Sequence, residues 1–293
     1  MLLSRHQNYR SLLSVIGAMF VFGTIGVFVK ASGQSAFNIV FFRCLFAAVC
    51  LGIFTVCTSQ IKTEYFKPKT LWPLIMSGAA LAFNWVFLFK AFELTSITTG
   101  IIFYYTQPFI LIFLGFLFFK ETIRAYHFFW TAMAFTGLIL STGALSHGIV
   151  ITNLSQGAVF GMSAATLYAL VVIIAKYYQH IPPAFIVFIQ TSVGMIFLVP
   201  FTRLSDVPLA GYHWIFLISL GVIHTAMAYL FFYRGVQNLR TAVIAVLGFI
   251  DPVVAILSDI LVFGRHIGMF QSIGIAMILT GGMAIQLGVG PKA

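Results

Sequence analysis

Charge is scarce in this chain. Of its 293 residues, 8% are Asp, Glu, Lys or Arg, and only six are acidic. A soluble globule of that length needs a far more polar surface, whereas here 61% of residues are hydrophobic and the mean hydropathy is +1.05. A water-soluble fold is excluded, and a polytopic membrane protein is implied. Cysteine is sparse too: Cys44, Cys50 and Cys57 fall in one apolar run, at spacings unlike a metal site. They read as small packing residues, and no metal or other cofactor is expected. There is no Gly-Lys-Ser/Thr phosphate loop, which argues against direct ATP drive by this chain. His-Glu-x-x-His, Gly-x-Ser-x-Gly and paired-aspartate motifs are missing as well. A membrane-embedded enzyme acting on a lipid-linked substrate stays open as the alternative, because intramembrane catalytic groups can come from separate helices.

What the chain has is long apolar runs. They lack the period-two alternation of a barrel and carry much of the 33 Phe and 11 Tyr, so helices span the bilayer. A crossing takes roughly 20 residues. Ten candidates follow: about 12–30, 36–56, 71–91, 99–119, 127–145, 157–176, 184–201, 213–233, 241–263 and 267–289. The first, behind Arg5 and Arg10, imitates a signal peptide but lacks a clear cleavage site, and an uncleaved helix is expected. The net charge of +10 reads as orientation in the lipid bilayer rather than as a nucleic-acid surface, since Lys and Arg sit in short connectors. Eleven basic residues, from Arg5 to Lys292, lie on one side, against Lys30, Lys90, Arg203 and Arg265 on the other. That asymmetry predicts a multi-pass protein with both termini cytoplasmic. No connector is long enough to hold a soluble domain.

Sliding the sequence against itself by 144 positions aligns "KAFELTSITTGIIFYYTQPFILIF" (90–113) with "RGVQNLRTAVIAVLGFIDPVVAIL" (234–257). Pro108 meets Pro252, and "AMAFTG" (132–137) meets "AMILTG" (276–281). Two five-helix repeats, 1–146 and 147–293, are the simplest account. Because five is odd, the second half enters the membrane from the opposite side. The fold class is therefore all-α with ten transmembrane helices in two inverted repeats, the arrangement that supports alternating access.

These ten spans, the mid-helix prolines of spans four and nine, and "FKE" (119–121) before a glycine-containing fifth span resemble the drug/metabolite transporter superfamily and its EamA-type members. Glu121 matches the acid that commonly closes the fourth span there, while the second half reads "FGR" with Arg265. Arg43 in "FFRCLFAA" matches the family's frequent second-span arginine; the second half has "FIQTSVG" with Gln190. The resemblance implies a secondary transporter with a cavity lined by both halves, many such proteins exporting amino acids or other small metabolites. A bacterial inner membrane, a small organic solute and a monomer or homodimer follow as expectations.

Several polar residues inside the spans are candidates for function. Asp251, in "GFIDPVV", lies about ten residues, or roughly 15 Å, from each end of its span. A buried acid there takes up a coupling proton, binds a solute ammonium, or sits neutral and pins span nine to a neighbour. Its counterpart 144 positions back is the uncharged Gln107. Asp259, about two turns on, is a second proton step or a partner for Arg265. Arg43 suits a carboxylate or phosphate ligand, or neutralises a buried acid such as Asp259. The set Asn84, Trp85, Tyr104, Tyr105, Gln107, Tyr168, His224 and Tyr229 implies aromatic walls with a few hydrogen-bonding groups, as organic-solute sites have. Cation–π contact is available to a cationic group, and His224 is either titratable or an interhelical hydrogen bond.

Overall fold

A computed structural model describes residues 2–142, 154–203, 205, 207, 211–263 and 268–289. Among the described residues the chain is helical, with no strand. Span one is Leu2–Gly23 continued by Ile25–Ser32, span two Ala36–Cys57, and span three Pro68–Leu94. Span four joins Ile97–Tyr104 to Gln107–Phe119, and span five is Ala125–Ser141. The second half opens with span six, Leu154–Tyr177, and span seven, Pro183–Leu198. Span eight runs from His213 to Val236, span nine joins Thr241–Leu247 to Ile250–Phe263, and span ten is Met269–Leu287. Nine of these are long and apolar enough to cross hydrocarbon. Span five covers 17 described residues, and its expected extension to 145 lies outside them. The expected boundary between the repeats, at 146 and 147, also lies outside them.

Helix ends are built by local chemistry. Ser35 and Ser96 accept from the backbone N–H of Asn38 and Thr99, capping spans two and four. Pro73, inside span three, has no N–H to offer the Lys69 carbonyl one turn back. The Tyr178 hydroxyl donates to that carbonyl at 3.0 Å, so the exposed backbone group is satisfied from another element.

The contacts obey the repeat. Gly137 packs against the Gly274 backbone so closely that a Cβ would stand 2.6 Å from its carbonyl oxygen. Shifting both residues by 144 gives Gly281 and Trp130, where a Cβ would stand 2.8 Å from the Trp130 carbonyl oxygen. Likewise Gly221 abuts Phe46, and the shifted pair is Ser77 with Gln190, joined by a 2.9 Å hydrogen bond. These two contacts between the halves therefore each have a partner related by a pseudo-two-fold axis, with small residues permitting the close approach of spans five and ten.

Spans four and nine, expected from sequence as runs 99–119 and 241–263 carrying mid-helix prolines, are each built of two helical segments. Span nine breaks at Gly248 and Phe249, span four at Tyr105 and Thr106. In each case a proline follows within a few residues, Pro252 and Pro108, and removes an N–H from the ladder. Asp251 consequently sits in the first turn of a half-helix, and Gln107 at the first position of its counterpart.

Three substitutions separate packing from propensity. Gly137→Ala and Gly281→Ala should each destabilise the protein by about 1–3 kcal/mol through overpacking. Gly17→Ala, with nothing within 4 Å of the added methyl, should be neutral or stabilising. Thermal unfolding in detergent checks this, and equal effects at all three sites would refute close packing as the cause.

Candidate functional site

Arg43 and Asp251 stand at the two ends of one aromatic cluster. The Arg43 guanidinium lies 4.5 Å over the Trp85 ring. Trp85 meets Tyr229 edge-on with ring centroids 6.4 Å apart, and Tyr229 meets Phe232 at 6.3 Å. Phe232 stacks on Tyr168, Tyr168 faces Tyr104 at 6.0 Å, and Tyr104 adjoins Tyr105 at 5.7 Å. Finally the Tyr105 hydroxyl donates to Asp251 Oδ2 at 3.1 Å. Tyr104 and Tyr229 lie within electrostatic reach of both charges. Contributors come from spans two, three, four, six, eight and nine, so both halves build the cluster.

Arg43 is 4% exposed. Its Nε donates to Thr225 Oγ1 at 3.1 Å, and the acid expected as its partner, Asp259, has its side chain outside the described residues. Among the described residues a hydroxyl and an aromatic face hold the guanidinium, and no carboxylate pairs with it. Thr225 lies in a π-helical stretch, Val222–Met227, where its own hydroxyl donates back to the Leu220 carbonyl. Such a widened turn re-aims side chains and recurs at functional sites. The adjacent His224 points elsewhere: Nδ1 faces the Ser219 carbonyl at 3.1 Å and Nε2 the Thr24 hydroxyl at 3.0 Å. A carbonyl only accepts, so Nδ1 carries the hydrogen. Thr24 then donates to a neutral ring, or turns to the Val21 carbonyl, 2.8 Å away, when Nε2 is protonated.

Asp251 lies deep in the protein yet keeps part of its surface open. Its backbone carbonyl is packed against Gly23, where a Cβ would come within 2.7 Å. Asn84 is wholly buried; its Nδ2 donates to the Ala164 carbonyl at 2.7 Å, while Oδ1 has no donor among the described residues. It lies beside the Tyr104 hydroxyl. Gln107 is buried at the matching helix start in the first half. The Asp259 side chain and Arg265 lie outside the described residues, and with them the expected pairing. Two apolar clefts, lined by Phe37, Phe83, Phe87, Phe160 and Phe197 among others, offer only Lys90 and Glu93 as charged groups, already paired at 2.9 Å. Charged, hydroxyl and amide groups gather instead in the Arg43–Asp251 cluster.

A second polar cluster joins three elements at the end of span four. Glu121 Oε2 accepts from the Thr241 backbone N–H at 2.9 Å and from its hydroxyl at 2.5 Å. Glu121 Oε1 lies 3.0 Å from Lys176 Nζ, which also donates to the Leu239 carbonyl. Gly115 makes the fit possible, since a Cβ there would run into the Thr241 side chain. Burial pushes the Glu121 carboxyl up, but the Thr241 hydroxyl, the Lys176 ammonium and the Thr241 N–H outweigh it and hold the group below its ordinary value. This latch, Thr24 and Thr225 were missed from sequence. Glu121 was visible as a terminal acid, but nothing local to it indicates which distant residues it grips.

The EamA-like transporter family matches residues 10–143 and 155–286, one match per repeat. An uncharacterized transporter, YxxF, of Bacillus subtilis (strain 168) is 32% identical over 286 residues, covering 97% of this chain and 92% of that one. An uncharacterized transporter of Archaeoglobus fulgidus is 25% identical, covering 94% and 96%. A solved crystal structure superposes with a TM-score of 0.82 at 16% identity, over 94% of this chain and 96% of that one, and shares the fold.

The latch makes a pH-dependent prediction. A carboxyl held below its ordinary value contributes stability that is fully present above that value and is lost as pH falls through the folded-state value. Glu121→Gln should therefore cost about 1–3 kcal/mol near neutrality, and the gap to the wild type should close as pH drops below 4.5. Melting curves across pH measure it; a gap constant down to strongly acidic pH would remove the ionised latch.

Proposed function

The chain belongs to the EamA-like transporter family, and from that premise we propose that it is a secondary transporter that exports small organic solutes, amino acids or related metabolites, by alternating access. The observation that carries this is the pair of opposite charges, Arg43 and Asp251, at either end of an aromatic cluster built by both inverted halves. Buried ionisable groups with no ion-pair partner among the described residues are costly within a membrane and by default face a polar pathway. The family assignment favours this reading over the membrane-enzyme alternative.

In the proposed setting, a bacterial inner membrane with both termini cytoplasmic, the Glu121–Lys176–Thr241 latch lies at the cytoplasmic end and holds that side shut. Rocking of the halves about the pseudo-two-fold axis breaks it and opens the site inward. Asp251, open to the site and in the first turn of a half-helix, is the candidate group for a coupling proton.

Counterflow in proteoliposomes against amino acids, amines, nucleosides and sugar phosphates tests the proposal. Exchange of at least one organic solute is expected; no exchange together with accumulation of a lipid product would overturn it. Asp251→Asn should still exchange that solute at saturation but lose accumulation driven by an imposed pH gradient. Unchanged accumulation would take Asp251 out of the proton path.

A further inference from the structure

We infer that basic residues of both halves, gathered around the Glu121 latch, form a site for the phosphate headgroup of an anionic phospholipid. Lys120 and Arg124 flank Glu121 in the turn between spans four and five, Arg240 precedes Thr241 at the start of span nine, and Lys176 lies at the end of span six. The latch draws these elements together: Glu121 holds both Thr241 and Lys176, and the Thr241–Leu247 segment packs against spans four and five. His127, buried at the start of span five, lies within electrostatic reach of Arg124 and Arg240, and Lys176 within reach of Arg240. The carboxylate of the cluster, Glu121, is already taken by Lys176 and Thr241. Lys120, Arg124 and Arg240 are exposed and form no ion pair with a described residue.

Orientation in the bilayer asks only for basic residues on this side, not for these positions. Shifting by 144 turns Arg124 into Gly268, His127 into Gln271, Lys176 into Ser32 and Arg240 into Ser96, all neutral. The frame survives the exchange: Gln271 Oε1 accepts from the Gly268 N–H at 3.0 Å, just as His127 Nδ1 accepts from the Arg124 N–H at 3.2 Å. The cations are therefore additions to a frame that stands without them, and they are costly ones. Ser96 caps its helix by accepting from the Thr99 N–H at 3.1 Å, whereas Arg240 at the matching position makes no side-chain cap. Arg124 and Arg240 put positive charge at the positive ends of segments whose first turns hold no acid. Lys120 adopts a left-handed backbone, φ 51°, where the other half places a glycine, Gly264. An anion touching this group relieves the repulsion among its cations, and beside Arg240 and Lys176 it braces the latch. Leu117 and Phe118 before Lys120, and Phe128 and Phe129 one turn after Arg124, are exposed apolar side chains. A phospholipid supplies both parts, phosphate for the cations and acyl chains for that surface. In the orientation proposed above the cluster faces the cytoplasmic leaflet, where anionic headgroups meet basic groups between helices.

The test titrates the full chain, in uncharged detergent, with phosphatidylglycerol, phosphatidylcholine or glycerol 1-phosphate, reading retained lipid by native mass spectrometry and stability by melting curves. None of these readouts depends on transport. Phosphatidylglycerol should be retained and should raise the melting temperature, while the zwitterionic lipid and the soluble phosphate should do neither. Arg124→Gln and Arg240→Gln should each weaken phosphatidylglycerol binding about fivefold, and together about thirtyfold, at the worth of one basic group apiece. Arg240→Lys, which keeps the charge, should bind as the wild type does. Lys67→Gln combined with Lys69→Gln removes two charges from the connector before span three and should change nothing. Equal weakening by that pair would replace the site with diffuse attraction and overturn the inference. So would phosphatidylcholine binding as tightly, or glycerol 1-phosphate binding as well as the lipid. If the double variant does not fold, the single variants set against the Lys67 and Lys69 pair decide.

Discussion

Hydrocarbon offers no hydrogen bonds, and every polar atom in the spans of this protein is placed under that constraint. Where a proline removes a donor, something else must answer. Tyr178 does so for the Lys69 carbonyl behind Pro73. In spans four and nine the helix breaks instead, freeing backbone next to the tyrosines and Asp251. The same constraint explains why Arg43 is fixed by a hydroxyl and an indole face, and why its unspent donors are informative. In water a guanidinium fork without a partner among the described residues would mean little; within the spans each unspent donor is costly.

Small residues give the scaffold its symmetry. Gly137 against Gly274 and Gly281 against Trp130 are one contact used twice, and Gly221 with Phe46 reappears as Ser77 with Gln190. Close backbone approach at these points lets two halves of different sequence adopt one architecture in opposite senses. Side chains then differentiate the halves: Gln107 where the second half has Asp251, and Gln190 near the counterpart of Arg43. Shape is duplicated and charge is not.

The architecture could be read from sequence because hydropathy, length and a gapless offset of 144 are properties of single segments or of two segments compared. Ten spans, inversion and the oddity of Arg43 and Asp251 all follow from such comparisons. Helix rotation about its axis does not, and rotation decides what a buried side chain meets. The widened turn at Val222–Met227 gives Arg43 the Thr225 hydroxyl, a partner that no single segment reveals. His224, grouped with the aromatic set by proximity in sequence, is turned by that same stretch toward Thr24 in span one. Lys176 and Thr241 look like an anchor and a helix start until Glu121, from a different half, closes on both.

That closure bears on which way the molecule rests. Moving Glu121 by 144 positions arrives at Arg265, and moving Lys176 and Thr241 back arrives at Ser32 and Ile97. A basic residue, a hydroxyl already given to the Val29 carbonyl and an aliphatic side chain cannot rebuild the same lock at the other end. In the proposed cycle the repeated scaffold would make two orientations nearly equivalent, and these few side chains would favour one of them. Resting bias would thus be a local quantity in that cycle, and moving the lock to the other end would take an acid at 265, a base at 32 and a hydroxyl at 97 together.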